Sequence, residues 1–317
     1  MKTAVAGAGA FGTALAIALA KGGRDVTLFC RDPATAGQMA STRKASHRLP
    51  GFDLPDTVYV TSNADTLADT TCLLAMPMQT MRSALSTFDS PFAALVACSK
   101  GIDQTTGLGP VELIKAERPD AVPAILTGPS FATDIAAGLP TALVIASEND
   151  ADATRLQDLL TRPALRLYRT TDVTGAELGG ALKNVIALAA GITVGAGLGD
   201  SARASVIARG FAELSRFALA KGAKTETLHG LSGLGDLVLT CTSDKSRNFS
   251  FGQALGSGAA RPTQTTEGLA TAKPVVDAAR SMGLELPLMS TVADVVAGKL
   301  DIPQAITNLL ARPVGKE

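Results

Sequence analysis

The first half of the chain alternates short runs of apolar, β-type residues with stretches of helical periodicity. The runs fall at residues 3–6, 26–29, 58–61, 72–75, 93–97, 124–126 and 141–146, with helical patterns between many of them, as at 13–21 and 78–88. Alternation of this kind predicts right-handed crossovers and a parallel sheet. The runs at 72–75 and 93–97 are almost continuously apolar, as strands covered on both faces are. After about residue 174 the texture changes. Residues 175–198 form one long apolar helical pattern, and 204–221, 271–281, 290–297 and 303–310 are further helical segments. No strand is expected after Arg169, and 230–250 reads as a loop rich in Gly, Ser, Thr and charge. The pattern therefore predicts two domains, an α/β domain over 1–174 and an all-α domain over 175–317. The longest apolar stretch, 185–198, is too short and glycine-rich to span a bilayer and reads as a buried helix.

The junction of the first strand with the first helix carries the earliest chemical signal. Gly7, Gly9 and Gly12 stand between Thr3-Ala4-Val5-Ala6 and the alanine-rich run that starts at Thr13. A glycine triplet at this spacing is common, but between a strand and a helix it points to a dinucleotide. Gly7 permits the turn, Gly9 lets the backbone approach a pyrophosphate, and Gly12 lets helix and strand pack closely. The free N–H groups and positive dipole end of the helix then face the phosphates.

Composition narrows the class. Of 317 residues 46% are hydrophobic, enough for a fully globular chain, and 29 basic residues balance 29 acidic ones. Zero formal charge, no tryptophan and few aromatics argue against a nucleic-acid partner. Cys30, Cys72, Cys98 and Cys241 form no Cys-x-x-Cys pair and read as reduced, buried thiols. With two histidines in the chain, His47 and His229, no metal site is expected. No basic-then-apolar leader precedes the first strand, so the expected location is cytoplasmic.

Several polar residues are placed for chemistry. Arg31 and Asp32 follow the second strand. A guanidinium there suits the 2′-phosphate of NADP, whereas Asp32 could bind the ribose of NAD or simply pair with Arg31 in solvent. Arg48 lies in a loop that could reach the cofactor. Lys100 and the turn Gly128-Pro129-Ser130 follow strand ends, where ligands bind in open parallel sheets. Lys183 and Asn184 stand at the start of the most apolar helix of the chain, preceded by Gly179 and Gly180. A buried lysine is costly unless paired, and burial brings its pKa toward the range of proton transfer; the plain alternative is a lysine that snorkels to solvent at a helix end. Asp236 could orient and balance that charge. Arg247 and Asn248 suit a phosphate, the arginine as a fork and the asparagine as a neutral donor.

Taken with their neighbours, these residues make a chain that closely resembles, over its whole length, the bacterial NAD(P)-dependent sn-glycerol-3-phosphate dehydrogenases. The motifs are GAGAFGTALA at 7–16, LPG at 49–51, SKG at 99–101, GPSFA at 128–132, ELGGALKNVIALAAG at 177–191, GLSGLGDLVLTC at 230–241, SRN at 246–248 and TEG at 266–268. The resemblance implies a Rossmann-type parallel-sheet domain followed by an all-α domain of the 6-phosphogluconate dehydrogenase C-terminal type, in a homodimer. It implies reduction of dihydroxyacetone phosphate to sn-glycerol 3-phosphate with NADP or NAD, in supply of phospholipid synthesis. Carried over by position, Lys183 is the catalytic lysine with Asp236 beside it. Lys100, Gly128, Ser130, Ser246, Arg247 and Asn248 then line the substrate with them. Gly7, Gly9, Ala10, Phe11, Gly12, Arg31, Arg48, Lys100, Ala132, Arg247, Thr265 and Glu267 contact the cofactor. The family has Ser-Trp where this chain has Ala10-Phe11, and Val where it has Thr266. Two other readings remain. A β-hydroxyacid dehydrogenase shares Gly179 and Lys183 but has asparagine where this chain has Ala187. A non-catalytic dinucleotide sensor needs neither the lysine nor the second polar cluster.

Overall fold

The computed structural model describes residues 2–260, 262, 263 and 266–310, apart from the side chain of Leu310. The chain divides into two compact units, residues 1–177 and 178–317.

The first unit is built on one eight-stranded sheet. Its strands are β1 (Thr3–Ala6), β2 (Val26–Phe29), β3 (Val58–Thr61), β4 (Thr71–Leu74), β5 (Ala94–Ala97), β6 (Val122–Thr127), β7 (Thr141–Ala146) and β8 (Leu165–Thr170), in the order 3-2-1-4-5-6-7-8. Helices α1 (Ala10–Ala20), α2 (Pro33–Thr42), α3 (Met78–Leu85), α4 (Pro110–Glu117), α5 (Ala132–Ala137) and α6 (Asp150–Leu160) connect them. Side chains alternate across the sheet. Val5, Leu73 and Val96 join the core with α1 and α6, while Ala4, Cys72 and Leu95 join the core with α3 and α4.

Two features depart from the expected sheet. The first six strands are parallel, but β6 and β7 are antiparallel, with Leu126 opposite Ile145. The connecting helix α5 has six residues and rises only about 9 Å, against about 20 Å for a six-residue strand, so it cannot carry the chain back for a parallel crossover. The eleven-residue α6 is longer, and β7 and β8 are parallel. Strand β8 itself was not expected. It alternates buried Leu165 and Leu167 with exposed Arg166 and Tyr168, the pattern of an edge strand with one wet face.

The division between the units falls inside α7 (Val173–Gly195). This helix is the long one expected over 175–198, begun two residues earlier and ended at Gly195. Its 23 residues are long and apolar enough to cross a membrane, but 78% of its apolar window is buried in the protein. The second unit continues with α8 (Gly199–Ala220), α9 (Thr225–His229), a π-helical turn at Leu231–Gly235, α10 (Asp236–Cys241), α11 (Arg247–Ser257), α12 (Glu267–Ser281), α13 (Pro287–Val296) and α14 (Ile302–Leu310). It is all-helical among the described residues. The expected loop at 230–250 is therefore mostly helix: its glycines permit close packing. A Cβ on Gly179 of α7 would stand 2.6 Å from the Ser232 carbonyl oxygen. Helices α7 and α11 also meet backbone to backbone. A Cβ on Gly191 or Gly195 would strike the carbonyls of Phe249 or Gln253, and one on Gly252 or Gly256 those of Leu188 or Ile192.

Two helices are capped from a distance. Both α4 and α13 begin with proline, after Gly109 and Leu286, which offer no side-chain cap. In the first unit Glu177 accepts the Val111 N–H at 2.6 Å. In the second, buried Glu213 accepts those of Leu288 and Met289 at 2.7 and 3.0 Å. Burial pushes the Glu177 carboxyl from 4.5 up to about 7, against the lowering effect of the Val111 N–H.

Candidate functional site

In the first unit the glycine loop has the geometry of a phosphate cradle. Gly7 has φ of 118°, and a Cβ there would run into the Ala75 carbonyl. At Gly12 a Cβ would strike the Gly7 carbonyl and stand 2.8 Å from the Ala75 Cβ. Gly9 is different: nothing lies within 4 Å of the position its Cβ would take. That open space, at the N-cap of an eleven-residue helix with no side-chain cap, fits a pyrophosphate. Ala10 is the first residue of α1 and Phe11 the second, half-buried against the core. Beside the loop, the Ser46 hydroxyl donates to the Ala8 carbonyl at 3.3 Å and ties down the segment that carries exposed Arg48.

Arg31 is exposed at the end of β2. Asp32 does not pair with it. Its carboxylate caps α2, accepting from the Thr35 N–H at 2.9 Å and from the Thr35 hydroxyl, and these bonds hold it below the usual carboxylate range. Farther along the sheet, Lys100 Nζ and Ser130 Oγ both donate to the Gly128 carbonyl, at 3.0 and 3.3 Å. Gly128 has φ of 130°, and Ala132 opens α5 just beyond.

The second unit holds a buried polar cluster. Lys183 lies mid-helix in α7, not at a helix start, and is 6% exposed. Its Nζ bonds the Asp236 carboxylate, which is fully buried, and donates to Thr240 Oγ1 at 2.7 Å. The Thr240 hydroxyl in turn lies 3.4 Å from Asp236 Oδ1. Asp236 and Thr240 are one turn apart on α10, so one helix face supplies both partners. A charge pair this deeply buried needs such support, because removing one partner strands the other. It is an ammonium held rigidly with a counter-charge and a neutral hydroxyl. Next to it, burial pushes the Cys241 thiol up to about 12, which leaves it a packing group. All four cysteines are buried and unbridged.

Ser246, Arg247 and Asn248 form the start of α11. Ser246 is the N-cap and accepts the Phe249 N–H at 3.3 Å, Arg247 is exposed, and Asn248 is buried. Asn248 is already engaged within the fold: it donates to Asn184 Oδ1 at 3.0 Å and accepts the Gly268 N–H at 2.9 Å. Its amide therefore locks α7, α11 and the start of α12, where Glu267 is the first residue. Thr265 lies outside the described residues.

Residues 2–153 match the profile described as NAD-dependent glycerol-3-phosphate dehydrogenase N-terminus, and residues 172–307 the corresponding C-terminus. The chain belongs to this family. It is 53% identical to the glycerol-3-phosphate dehydrogenase [NAD(P)+] of Ruegeria sp. (strain TM1040), over the full length of both chains. It is also 53% identical to the protein of that name from Cereibacter sphaeroides, over 99% of each. A crystal structure of glycerol-3-phosphate dehydrogenase from Coxiella burnetii superposes with a TM-score of 0.91 at 34% identity, covering 98% of this chain and 99% of that one.

Within this glycerol-3-phosphate dehydrogenase fold the structure adds Thr240 and Ser46 to the residues read from the sequence. Thr240 was legible in principle, as the fourth residue after Asp236, once 236–241 is seen as a helix. Ser46 carried no signal, because its bond is to a backbone carbonyl far away in sequence. His229 packs its ring 5.4 Å from that of Phe211, as a structural side chain does.

Proposed function

We propose that this chain reduces dihydroxyacetone phosphate to sn-glycerol 3-phosphate, reversibly, with NADP or NAD. The observation that carries the mechanism is the buried contact of Lys183 with Asp236 and Thr240. The dinucleotide, when bound, supplies the hydride that reaches the ketone carbon. Gly7, Gly9 and Gly12 with the N–H groups of α1 hold its pyrophosphate, Ala10, Phe11, Arg48, Ala132 and Glu267 contribute contacts, and Arg31 favours the 2′-phosphate form. The substrate phosphate docks on the Arg247 fork and on the free N–H groups at the start of α11. The family resemblance assigns Lys100, Gly128 and Ser130 of the first unit and Ser246 of the second to the substrate as well, and Asn248 holds α11 in register. Lys183 gives a proton to the oxygen that develops negative charge and recovers it in the reverse direction. Asp236 keeps the ammonium in place, and Thr240 fixes its direction.

The family membership also supports a cytoplasmic enzyme that feeds glycerophospholipid synthesis and works as a homodimer. The decisive assay follows the near-ultraviolet absorbance of NADPH or NADH with dihydroxyacetone phosphate, with a 3-oxo acid as control. Oxidation with the phosphate ester alone is expected. Turnover of the keto acid alone would assign a hydroxyacid dehydrogenase, and dinucleotide binding without turnover a sensor.

A further inference from the structure

Arg162, in the first unit, has no part in the reaction above. It is 8% exposed and forms no ion pair among the described residues. Its Nε donates to the Leu19 carbonyl at 3.1 Å, and Nη1 to the carbonyls of Leu159 and Thr161. These acceptors lie at the C-terminal ends of α1 and α6, where a cation is favoured. They satisfy one edge of the guanidinium. Nη2 is buried and has no acceptor at all. Burial, with the neighbouring charge of Arg24, pushes the Arg162 pKa down, as expected of a cation short of compensation.

Arg162 lines a cleft of about 150 Å³ at the end of α1. Ala18, Ile135 and Leu165 supply apolar wall, and Thr141 and Lys21 also border it. Lys21 Nζ donates to the Ala136 carbonyl at 2.9 Å and is exposed. A shallower cleft alongside adds Arg166, and no carboxylate lines either one. The ends of α1, α5 and α6 contribute at most roughly half a negative charge each, against two full cations. The cleft is therefore apolar in its walls and positive at its rim, with Lys21 at its border and in its lining a guanidinium whose Nη2 has no acceptor. A cavity of this volume holds roughly six heavy atoms of ring size.

We propose that this cleft is a binding site for a short-chain carboxylate, its head between Arg162 Nη2 and Lys21 Nζ and its alkyl arm on Ala18, Ile135 and Leu165. Arg162 is kept buried without a carboxylate of the chain's own because a ligand supplies one. A carboxylate suits the cleft better than a phosphate, because the wall that would receive the rest of the molecule is apolar.

Butyrate titrated into the full-length protein, with dinucleotide and dihydroxyacetone phosphate absent, tests this by amide NMR. The expected result is saturable shifts at Gly22, Gly138 and Thr141. Leucine at position 164, which borders the cleft, should fill it, so Ala164→Leu should weaken binding about tenfold. Lys21→Gln should weaken it by a similar factor, since each removes about one charged contact or its space. Arg162→Lys should do the same, and if that variant does not fold, the other two decide. The proposal is overturned if sodium chloride of equal ionic strength produces the same shifts, if they do not saturate, or if they survive Ala164→Leu. Inorganic phosphate moving these amides where butyrate does not would also overturn it.

Discussion

At the scale of single residues, the consequential charge is the one on Lys183. Lys183→Ala should lower turnover by about 10²–10⁴-fold while dinucleotide affinity stays near normal, measured by steady-state kinetics and fluorescence titration of the same preparation. Because Asp236 would be left buried without its partner, the variant should also be less stable, by about 3–5 kcal/mol. Lys183→Arg keeps the charge but holds its proton at neutral pH, so it should be nearly as inactive. A folded Lys183→Ala protein with unchanged turnover would refute the proton-donor role. Glu177 makes a second prediction, in pH. Its carboxyl titrates near 7 in the fold and near 4.5 outside it, so the folded state holds the extra proton between these values. The contribution is present in full below about 4.5 and is lost as pH rises through about 7. Wild-type stability should fall across that window, with a slope up to about 1.4 kcal/mol per pH unit, relative to Glu177→Gln, which still accepts the Val111 N–H. Denaturation curves that run parallel at every pH would show that the carboxyl is not perturbed.

At the scale of elements, glycines separate two physical situations. Gly37 lies in α2 with nothing within 4 Å of its absent Cβ, so Gly37→Ala should stabilise by about 0.5–1 kcal/mol. Gly191 faces the backbone of α11, with Gln253 N 2.9 Å from the Cβ position, so Gly191→Ala must force two helices apart. There the steric cost of about 1–3 kcal/mol exceeds the gain in helix propensity, and thermal melts of the two variants should shift in opposite directions. The same distinction explains what the sequence revealed and what it hid. Continuous apolar strands such as β4 and β5 were readable because both faces are covered. Strand β8 was hidden because half of its residues are polar and outward. Residues 230–250 looked like a loop because the glycines that admit α7 resemble turn glycines when their neighbours are unknown. The glycine loop, Lys183, Asp236 and Arg247 stood out through residue type and spacing. Thr240 needed the helix, and the locking role of Asn248 needed the tertiary structure.

At the scale of the whole molecule, the alternation of the first half and the helical texture of the second were enough to place two domains in order. The reversal at β6–β7 was not, since it turns on the length of one short helix. Each unit also contains a helix whose start is completed by a glutamate from elsewhere: Glu177 for α4 and Glu213 for α13. An eight-residue helix with no local cap is marginal on its own. Its formation therefore waits on the arrival of the other segment, and so does its protection from solvent. Amide hydrogen exchange should find α4 opening together with the first turns of α7, not fraying independently. Glu177→Ala should uncouple them, raising exchange in α4 by roughly the five- to thirtyfold that a lost cap of about 1–2 kcal/mol implies. Unchanged protection of α4 in that variant would show that its stability is local. The remote caps thus convert two weak helices into late-forming, all-or-none parts of their units, so that the order of assembly is written into which residue supplies the cap.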